Sequence, residues 1–361
     1  MSTPPSIVPG HPKNGILLVP FESEANPSIN CLRKVLSKDF DVYSLADIRK
    51  HPHWIWTRLR GVYLNWIEND PKIRNIWILR LFRLLGIRLA WTHHNKRPHD
   101  RPLTWKGKKF IDFLERYSDT IIIHCYESLS CLPEHCHSRV RFFPHGNYIG
   151  CYPPARDANI RQELGISDDA VVFLFLGQVK RYKGIDVLLE AFGHLKSPRA
   201  HLIVAGMPDA GESMLRDMMP HGADGSRIHQ VLRWVPDGEI RGYLDAADAV
   251  VMPLDQKSSL NSGSVLMAFS HGKTVIAPWM GTLLEYKNQP PFFYAYDYAT
   301  REEHVRMLAE TMERALQDEW ESPGHLRRWG EMALEHVRAE NDWEAFRPIL
   351  RRVFGKDNSE V

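Results

Sequence analysis

Short apolar runs alternate with segments of helical spacing along most of the chain, and this alternation constrains the fold more than any other feature. Gly15–Phe21 is a short apolar run, and Pro27–Ser37 places its apolar residues at helical intervals. Alternation of this kind predicts parallel strands connected by helices that cover both faces of a sheet. The other strands predicted in the first half are Asp41–Leu45, Gly61–Trp66, Arg88–Thr92, Thr120–His124 and Arg141–Pro144, with helices at Ile73–Leu85 and Lys106–Tyr117.

The alternation starts again after the loop Asn147–Asn159, which contains a Pro-Pro pair. Three helical stretches are expected in 301–354. The fold class is therefore α/β, with two Rossmann-like doubly wound domains facing a cleft and C-terminal helices. The second half is predicted to contain strands Ala170–Leu176, Ala200–Ala205, Gln230–Leu232, Ala249–Met252 and Thr274–Ala277, and helices Ile160–Leu164, Gly184–Leu195, Ser213–Met219, Asp237–Ala246 and Ser264–His271.

A length of 361 residues suits two domains, and 43% apolar with 25% charged residues is ordinary for a globular protein. We expect a disordered lead-in at 1–14, Rossmann-like domains at 15–152 and 153–335, and at 336–361 a C-terminal helix that packs back on the first domain. The sequence contains no apolar run of membrane-spanning length and no signal-peptide pattern. Five cysteines, an odd number, favour a reducing compartment, so a cytoplasmic location is expected.

The net charge of +2 hides a strong local asymmetry. The window 51–110 contains thirteen Lys or Arg and three acids, a net +10, together with six of the eleven tryptophans. Its helix Ile73–Leu85 is either an interfacial helix lying in a membrane surface or a core helix with arginines at its edges. Because anionic leaflets attract basic patches, the window predicts peripheral binding to the inner face of the cell membrane. No nucleic-acid-binding module is found, so nucleic acid is not expected as a partner.

The strongest motif is Phe175–Phe192, in which an apolar strand, a basic loop and an amphipathic helix follow one another. Lys180, Arg181 and Lys183 lie just before the helix start, where free backbone N–H groups favour an anion. A charged surface loop between strand and helix would give the same pattern. The motif alone leaves the two interpretations equally open.

A second motif, in Val250–Pro278, places Asn261, Ser262, Gly263 and Ser264 at a helix start. These residue types cap helices whatever the function, and they also form cradles for phosphate. Two such helix starts in one doubly wound domain suggest that a diphosphate is held between them.

Polar residues also follow a predicted strand of the first domain, in Trp91–Asp100. His94, Asn95, His99 and Asp100 would point into the cleft if that strand is central, and a His or Asp there could act as a general base. Alternatively, His94 and Asn95 satisfy backbone groups at the strand end. His145 lies near the expected interdomain hinge and is either a ligand-facing or a structural histidine.

The stretch His124–His137 is rich in His and Cys, which can bind zinc. Its spacing matches no established ligand pattern, so we predict no metal site there.

The order of these motifs resembles the donor-binding domain of the GT-B glycosyltransferases of the glycosyltransferase family 4 type. The resemblance implies that Lys183, with Lys180 or Arg181, binds the diphosphate of a nucleotide sugar. It places Trp234 and Val235 beside the nucleobase and the Asn261–Ser264 segment at the distal phosphate and the sugar. It also makes 153–335 the donor domain and 15–152 the acceptor domain, with no metal or other cofactor required.

The family usually has two glutamates around the helix that is predicted here at Ser264–His271. The corresponding positions of this sequence are Ser259 and Met267, so the sequence departs from the family there. This departure puts a retaining mechanism and the usual ribose contact in doubt. The segments Thr92–Asp100 and Pro144–Tyr148, with the two donor motifs, are similar to the xanthan-type β-mannosyltransferases. Those enzymes invert the anomeric centre and use GDP-mannose.

The expected function is therefore inverting transfer of a hexose, mannose from GDP-mannose, onto a lipid-linked saccharide in bacterial polysaccharide or glycolipid synthesis. His94 or Asp100 would be the catalytic base, and Asn95, His99 and His145 would serve the acceptor or the hinge. Two alternatives stay open, a retaining GT-B transferase that uses a UDP-sugar and a non-catalytic, membrane-bound GT-B module.

Overall fold

The computed structural model describes residues 13–23, 26–65, 73–96, 104–154, 159–180, 183–208 and 225–355. The described residues of 1–94, 101–143 and 343–361 form one compact unit, and those of 95–100 and 144–342 form a second. This division assigns the stretches 144–152 and 336–342 to the second unit, whereas the sequence-based boundaries placed them elsewhere.

Six parallel strands form the sheet of the first unit: β1 (Gly15–Val19), β2 (Asp41–Tyr43), β3 (Leu59–Leu64), β4 (Arg88–His93), β5 (Thr120–Ile123) and β6 (Val140–Phe142). They stand in the order β2-β1-β3-β4-β5-β6. The chain thus passes from β1 to β2 on one side and then crosses to β3 on the other. The carboxyl ends of β1 and β3 flank the topological switch point, where ligands of doubly wound sheets bind.

Helices cover both faces of this sheet. On one face, Leu79 and Phe113 pack in one cluster with Trp91 of β4. On the other face, Leu32 packs in a cluster that includes Ile122 of β5. The helices are α1 (Pro27–Leu36), α2 (Leu45–Lys50), α3 (Trp54–Thr57), α4 (Ile73–Leu84) and α5 (Trp105–Tyr117).

The second unit is built on another six-stranded parallel sheet: β7 (Val171–Leu176), β8 (Ala200–Ala205), β9 (Ile228–Val231), β10 (Ala249–Val251), β11 (Thr274–Pro278) and β12 (Tyr294–Tyr296). Its order is β12-β11-β10-β7-β8-β9. Here the chain builds outward from β7 to β9 and then crosses to β10 on the other side of β7. The switch point therefore lies between the carboxyl ends of β7 and β10.

The helices of the second unit enclose this sheet between two apolar clusters. Strand β7 is buried along its whole length, as expected of a central parallel strand with helices on both faces. The helices are α6 (Ile160–Glu163), α7 (Ile185–Gly193), α8 (Asp237–Ala246), α9 (Gly263–Ser270), α10 (Gly281–Leu284), α11 (Arg301–Glu321) and α12 (His325–Glu340).

The last helix, α13 (Trp343–Val353), belongs to the first unit although it follows the whole second unit in the chain. Phe346 stacks on Phe143 with ring centroids 3.9 Å apart. Arg347 Nε donates to Asp39 Oδ2 at 2.6 Å, and this hydrogen bond is the main cause that holds the pKa of Asp39 far below its ordinary value. Helix α13 thus completes one face of the first sheet.

The prediction of two doubly wound α/β units with C-terminal helices is confirmed, and most predicted elements are found within two residues of their expected ends. The predicted strand Asp41–Leu45 ends early because Ser44 and Asp47 form a capping box that starts α2. Helices α2, α3 and α10 and strand β12 were not predicted. The predicted helix Ser213–Met219 lies outside the described residues.

Candidate functional site

Helices α7 and α9 both begin at the switch point of the second sheet, where β7 and β10 end. Gly184, which precedes α7, has a left-handed backbone with φ of 72°. A Cβ at this position would stand 2.0 Å from the carbonyl oxygen of Pro253. Glycine therefore allows the start of α7 to pack directly on the chain that leaves β10.

Lys183 brings a cation to this edge of the sheet. Its Nζ and Ser264 Oγ lie 3.3 Å and 3.9 Å from the point that a Cβ on Gly177 would occupy. Desolvation, followed by the charge of Lys180, lowers the pKa of Lys183 to about 8. Among the described residues, no carboxylate forms an ion pair with Lys183. A desolvated cation beside a second cation is stabilised by a bound anion.

The start of α9 adds polar groups to the same edge. Ser262 caps the helix, because its Oγ accepts a hydrogen bond from the backbone N–H of Val265 at 3.3 Å. Asn261 Oδ1 accepts a hydrogen bond from Thr282 Oγ1 at 2.8 Å. An α-helix leaves its first N–H groups without intrahelical partners, so the cap leaves further donors of this turn for a ligand.

The segment Pro144–Tyr148 supports this helix start. A Cβ on Gly263 would lie 2.5 Å from Tyr148 Oη, and the backbone N–H of Tyr148 donates to Ser270 Oγ at 2.8 Å. His145 stacks on Tyr148 with ring centroids 5.9 Å apart, and burial lowers the pKa of His145. The structure therefore places His145 in the packing behind α9 rather than on an exposed surface.

The chain after β9 contains the residues expected beside a nucleobase. Trp234 is 45% exposed, whereas Val235 is 7% exposed and packs in the apolar core. Trp234 thus offers an exposed indole that could stack on a base, whereas Val235 is part of the apolar core. Arg181, which was predicted with Lys180 to lie near the donor diphosphate, is outside the described residues.

Two residues that follow β4 in the chain belong to the second unit. Asn95 forms an isolated antiparallel bridge with Ser259, and Lys96 Nζ donates to the carbonyl oxygen of Gln256 at 3.0 Å. Asn95 therefore lies against the connection between β10 and α9. Neither aligned glutamate position carries a carboxylate, and Met267 is buried in the apolar core.

His94 lies at the carboxyl end of β4 in the first unit. It is half-buried, and its ring centroid lies 5.2 Å from that of His124. His124 Nδ1 in turn lies 2.8 Å from the carbonyl oxygen of Phe143. His99 and Asp100 lie outside the described residues, so His94 is the candidate base that the structure places.

A chain of buried polar groups at the same edge was missed by the sequence analysis. Tyr63 Oη lies 2.9 Å from Thr92 Oγ1, and Thr92 Oγ1 donates to Asn65 Oδ1 at 3.1 Å. The available signal was a polar residue at the end of an apolar run, since Asn65 follows β3. The partners are 27 or more positions away in sequence, so their contact depends on the pairing of β3 with β4.

The His- and Cys-rich stretch 124–137 is explained by structure. It forms two short 3₁₀ helices, in which Cys136 Sγ donates to the carbonyl oxygen of Glu115, and His137 Nε2 lies 3.1 Å from that of Leu129. Within the described parts of the chain, no cluster of three or more His, Cys, Asp or Glu could hold a metal ion.

Helix α4 is apolar on both of its faces. Ile76, Leu79 and Phe82 are buried against the sheet, which agrees with a core helix. The opposite face is exposed and apolar, with Trp77 at 64% exposed and Leu84 at 85%. The exposed apolar residues are Trp77, Ile78, Leu81, Leu84 and Leu85, which we call the α4 face.

Basic residues flank the aromatic rings of this region. Arg80 lies over the ring of Trp77 at 5.0 Å, and Lys109 lies over that of the exposed Trp105 at 5.0 Å. None of the described helices is long and apolar enough to cross a membrane.

Residues 170–318 match the family of group 1 glycosyl transferases. The whole chain also resembles the crystal structure of Anabaena Alr3699/HepE in complex with UDP, with a TM-score of 0.70 and 12% identity over 95% of this chain and 100% of that one. The fold and the matched domain together define the class, a two-domain GT-B protein that resembles the glycosyltransferases.

Within this class, the chain is similar to a GDP-mannose:glycolipid 4-β-D-mannosyltransferase of Xanthomonas campestris pv. campestris. The two are 33% identical over 253 residues, which cover 70% of this chain and 65% of the relative. A second mannosyltransferase with this description, from the same pathovar, is 26% identical over the same shares of the two chains. The matched part thus spans slightly less than two thirds of these relatives.

Proposed function

We propose that the protein is an inverting glycosyltransferase that moves mannose from GDP-mannose onto a lipid-linked saccharide. The observation that carries the proposal is the switch point of the second sheet. There a desolvated lysine, without an ion-pair partner among the described residues, lies between two helix starts. A nucleotide diphosphate would supply an anion to pair with this lysine.

The reaction would be a single displacement. An acceptor hydroxyl attacks the anomeric carbon, the bond to the diphosphate oxygen breaks, and the base takes the hydroxyl proton. Lys183 and the helix starts stabilise the negative charge that grows on the departing diphosphate. His94, or Asp100, would be the base.

The residues aligned with the family glutamates support inversion. Ser259 presents a hydroxyl where a carboxylate would contact the donor sugar, and Met267 lies in the core. A retaining enzyme would need other residues to take over the roles of both family glutamates. The names of the mannosyltransferase relatives support GDP-mannose as the donor and a glycolipid as the acceptor.

We further propose that the α4 face holds the protein on the inner face of the cell membrane. Exposed Trp and Leu beside arginine suit the interface between headgroups and acyl chains. The +10 window 51–110 would add attraction to anionic lipids. This position would bring the enzyme to an acceptor that carries a lipid.

We also propose that transfer proceeds without a metal or other cofactor, since Lys183, Lys180 and the helix starts supply positive charge to the diphosphate. Transfer that is unchanged by EDTA would support this view. Transfer that stops with EDTA and returns with Mg²⁺ would contradict it.

The direct test is a thermal-shift series with GDP-mannose, UDP-glucose and dTDP-glucose. We expect GDP-mannose to raise the melting temperature, because a ligand that binds only the native state stabilises it. A shift with UDP-glucose alone would favour the UDP-sugar alternative, and no shift with any nucleotide would favour a non-catalytic module. The anomeric configuration of the product, read by NMR, then separates inversion from retention.

A further inference from the structure

We propose that Asn65, at the carboxyl edge of the first sheet, binds an uncharged, hydroxyl-rich group, namely a sugar unit of the acceptor. The assignment of that sugar to an acceptor rests on the proposed function, whereas the binding site itself rests on the structure of the first unit.

The position of Asn65 in the topology is the first argument. Asn65 follows β3, and its backbone N–H donates to the carbonyl oxygen of Val19, the last residue of β1, at 2.9 Å. The residue therefore lies at the switch point of the first sheet. Doubly wound sheets bind their ligands at this place.

The orientation of the Asn65 amide is the second argument. Thr92 Oγ1 gives its only proton to Asn65 Oδ1, so the hydroxyl of Tyr63 must donate to Thr92. With the amide oriented in this way, the chain of donors runs from Tyr63 through Thr92 to Oδ1. Asn65 Nδ2 then points away from Thr92, and none of the described residues accepts a hydrogen bond from it.

The chemistry of the neighbouring groups is the third argument. Tyr63, Thr92 and Asn65 are uncharged, and the described acid after β1, Glu22, lies with its Oε2 3.6 Å from Arg33 Nη1. None of the described cations contacts these three uncharged side chains, whereas Lys183 offers a cation at the second switch point. A sugar hydroxyl needs a neutral donor, and the fixed amide N–H is one.

If Asn65 had only a structural role, that role would use the amide oxygen and not the amide nitrogen. Satisfying the hydroxyl of Tyr63 requires Thr92, and satisfying Thr92 requires an acceptor, which Oδ1 supplies. An aspartate at position 65 would do the same. The Nδ2 group is the part of the residue that its described neighbours leave unused.

The test compares Asn65→Asp with the wild-type protein. The aspartate keeps an acceptor for Thr92 and removes the Nδ2 donor, and thermal unfolding of the variant checks that it folds. Binding is measured by saturation-transfer NMR with octyl β-glucoside, octyl α-mannoside and octyl cellobioside below their micelle concentrations, and with sodium phosphate as the anionic probe. We expect the wild type to bind a glycoside, and Asn65→Asp to weaken that binding about three- to tenfold.

Thr92→Val releases the amide from its fixed orientation and should weaken glycoside binding by a smaller factor, about threefold. Thr311→Val is the matched control. Thr311 is also buried, and its Oγ1 donates to the carbonyl oxygen of Met307 in α11 of the second unit. It should lower the melting temperature about as much as Thr92→Val and leave glycoside binding unchanged.

Three results would overturn the proposal: no glycoside binding by the wild type, equal binding by Asn65→Asp, or preferential binding of phosphate that Asn65→Asp abolishes. The same samples are tested with GDP-mannose by thermal shift. If the wild type binds a glycoside but GDP-mannose does not raise its melting temperature, the proposed function is rejected and the sugar site is kept. If GDP-mannose raises the melting temperature but the wild type binds no glycoside, the sugar site alone is rejected.

Discussion

The two sheets of this protein are both parallel and doubly wound, but they differ in strand order and in the residues at their switch points. At the second switch point, glycine lets backbone approach backbone, two helices begin, and Lys183 is held as a desolvated cation. At the first, a chain of hydroxyls ends on the amide of Asn65. Under the two proposals, a doubly wound sheet serves an anionic ligand in one unit and a neutral ligand in the other, and the few residues after two strands decide which.

The largest effect should come from removing the cation of the second switch point. Lys183→Ala should lower the transfer rate by about two to three orders of magnitude, because a preorganised positive group at the leaving group is lost. The rate is followed as GDP release from GDP-mannose. Lys196→Ala, at an exposed lysine beyond the far end of α7, is the control and should keep the wild-type rate. Equal rates for the two variants would remove Lys183 from the mechanism.

The next largest effect tests the close approach of backbone in the second unit. Gly184→Ala should lower the free energy of unfolding by about 3 kcal/mol, since its Cβ would both clash and force a left-handed alanine. Gly165→Ala is a matched control, because Gly165 has φ of 65° with nothing within 4 Å of a Cβ. It should cost only about 1 kcal/mol, measured by urea unfolding. A smaller cost for Gly184→Ala would mean that the start of α7 can move.

The pH dependence of nucleotide affinity tests the charge of Lys183, which is the electrostatic difference between the two switch points. The pKa of Lys183 is lowered to about 8 without ligand, and a bound diphosphate would raise it. Affinity should therefore fall as pH rises above 8, by up to about tenfold per pH unit, until the bound-state pKa is reached. Titration of GDP from pH 7 to pH 10 checks this. Lys183→Arg should keep its charge and flatten the curve, and an unchanged slope in that variant would assign the titration elsewhere.

In the protein without ligand, the free energy of unfolding should change with pH in the direction opposite to the GDP affinity. The pKa of Lys183 is lower in the folded than in the unfolded state, so the unfolded chain binds more protons between pH 8 and the ordinary lysine value of 10.5. The free energy of unfolding should rise across this range from the contribution of this group. Opposite trends of stability and GDP affinity would identify Lys183 as the common cause.

The smallest effect concerns the surface of the first unit. Replacing Trp77, Leu81 and Leu84 by serine should weaken binding to vesicles with anionic lipid about three- to tenfold, because less apolar area enters the interface. Vesicle sedimentation measures the binding. Trp320→Ser, at a partly exposed tryptophan of the second unit, is the control and should bind as the wild type does. Equal binding by the triple variant would leave the α4 face without a role at membranes.

The same contrast shows how far the sequence predicts this molecule. The second switch point is local, since Lys183 and Gly184 stand between one strand and one helix, and helix caps such as Ser262 have sequence signals of their own. The chain Tyr63–Thr92–Asn65 depends on the register of two strands, which no local pattern gives. Whether helix α4 lies in the core or at a membrane surface was ambiguous for a related reason. Its own apolar residues occur on all of its sides, and only the packing decides which of them are buried.

The return of α13 to the first unit has a consequence for synthesis on the ribosome. The first unit lacks this helix until the second unit has been translated, because α13 begins at Trp343. Until then Phe143 lacks the ring of Phe346, and Asp39 lacks the guanidinium of Arg347. We therefore expect the nascent first unit to expose an apolar face for most of the elongation time, and to become protease-resistant only when the last helix leaves the exit tunnel.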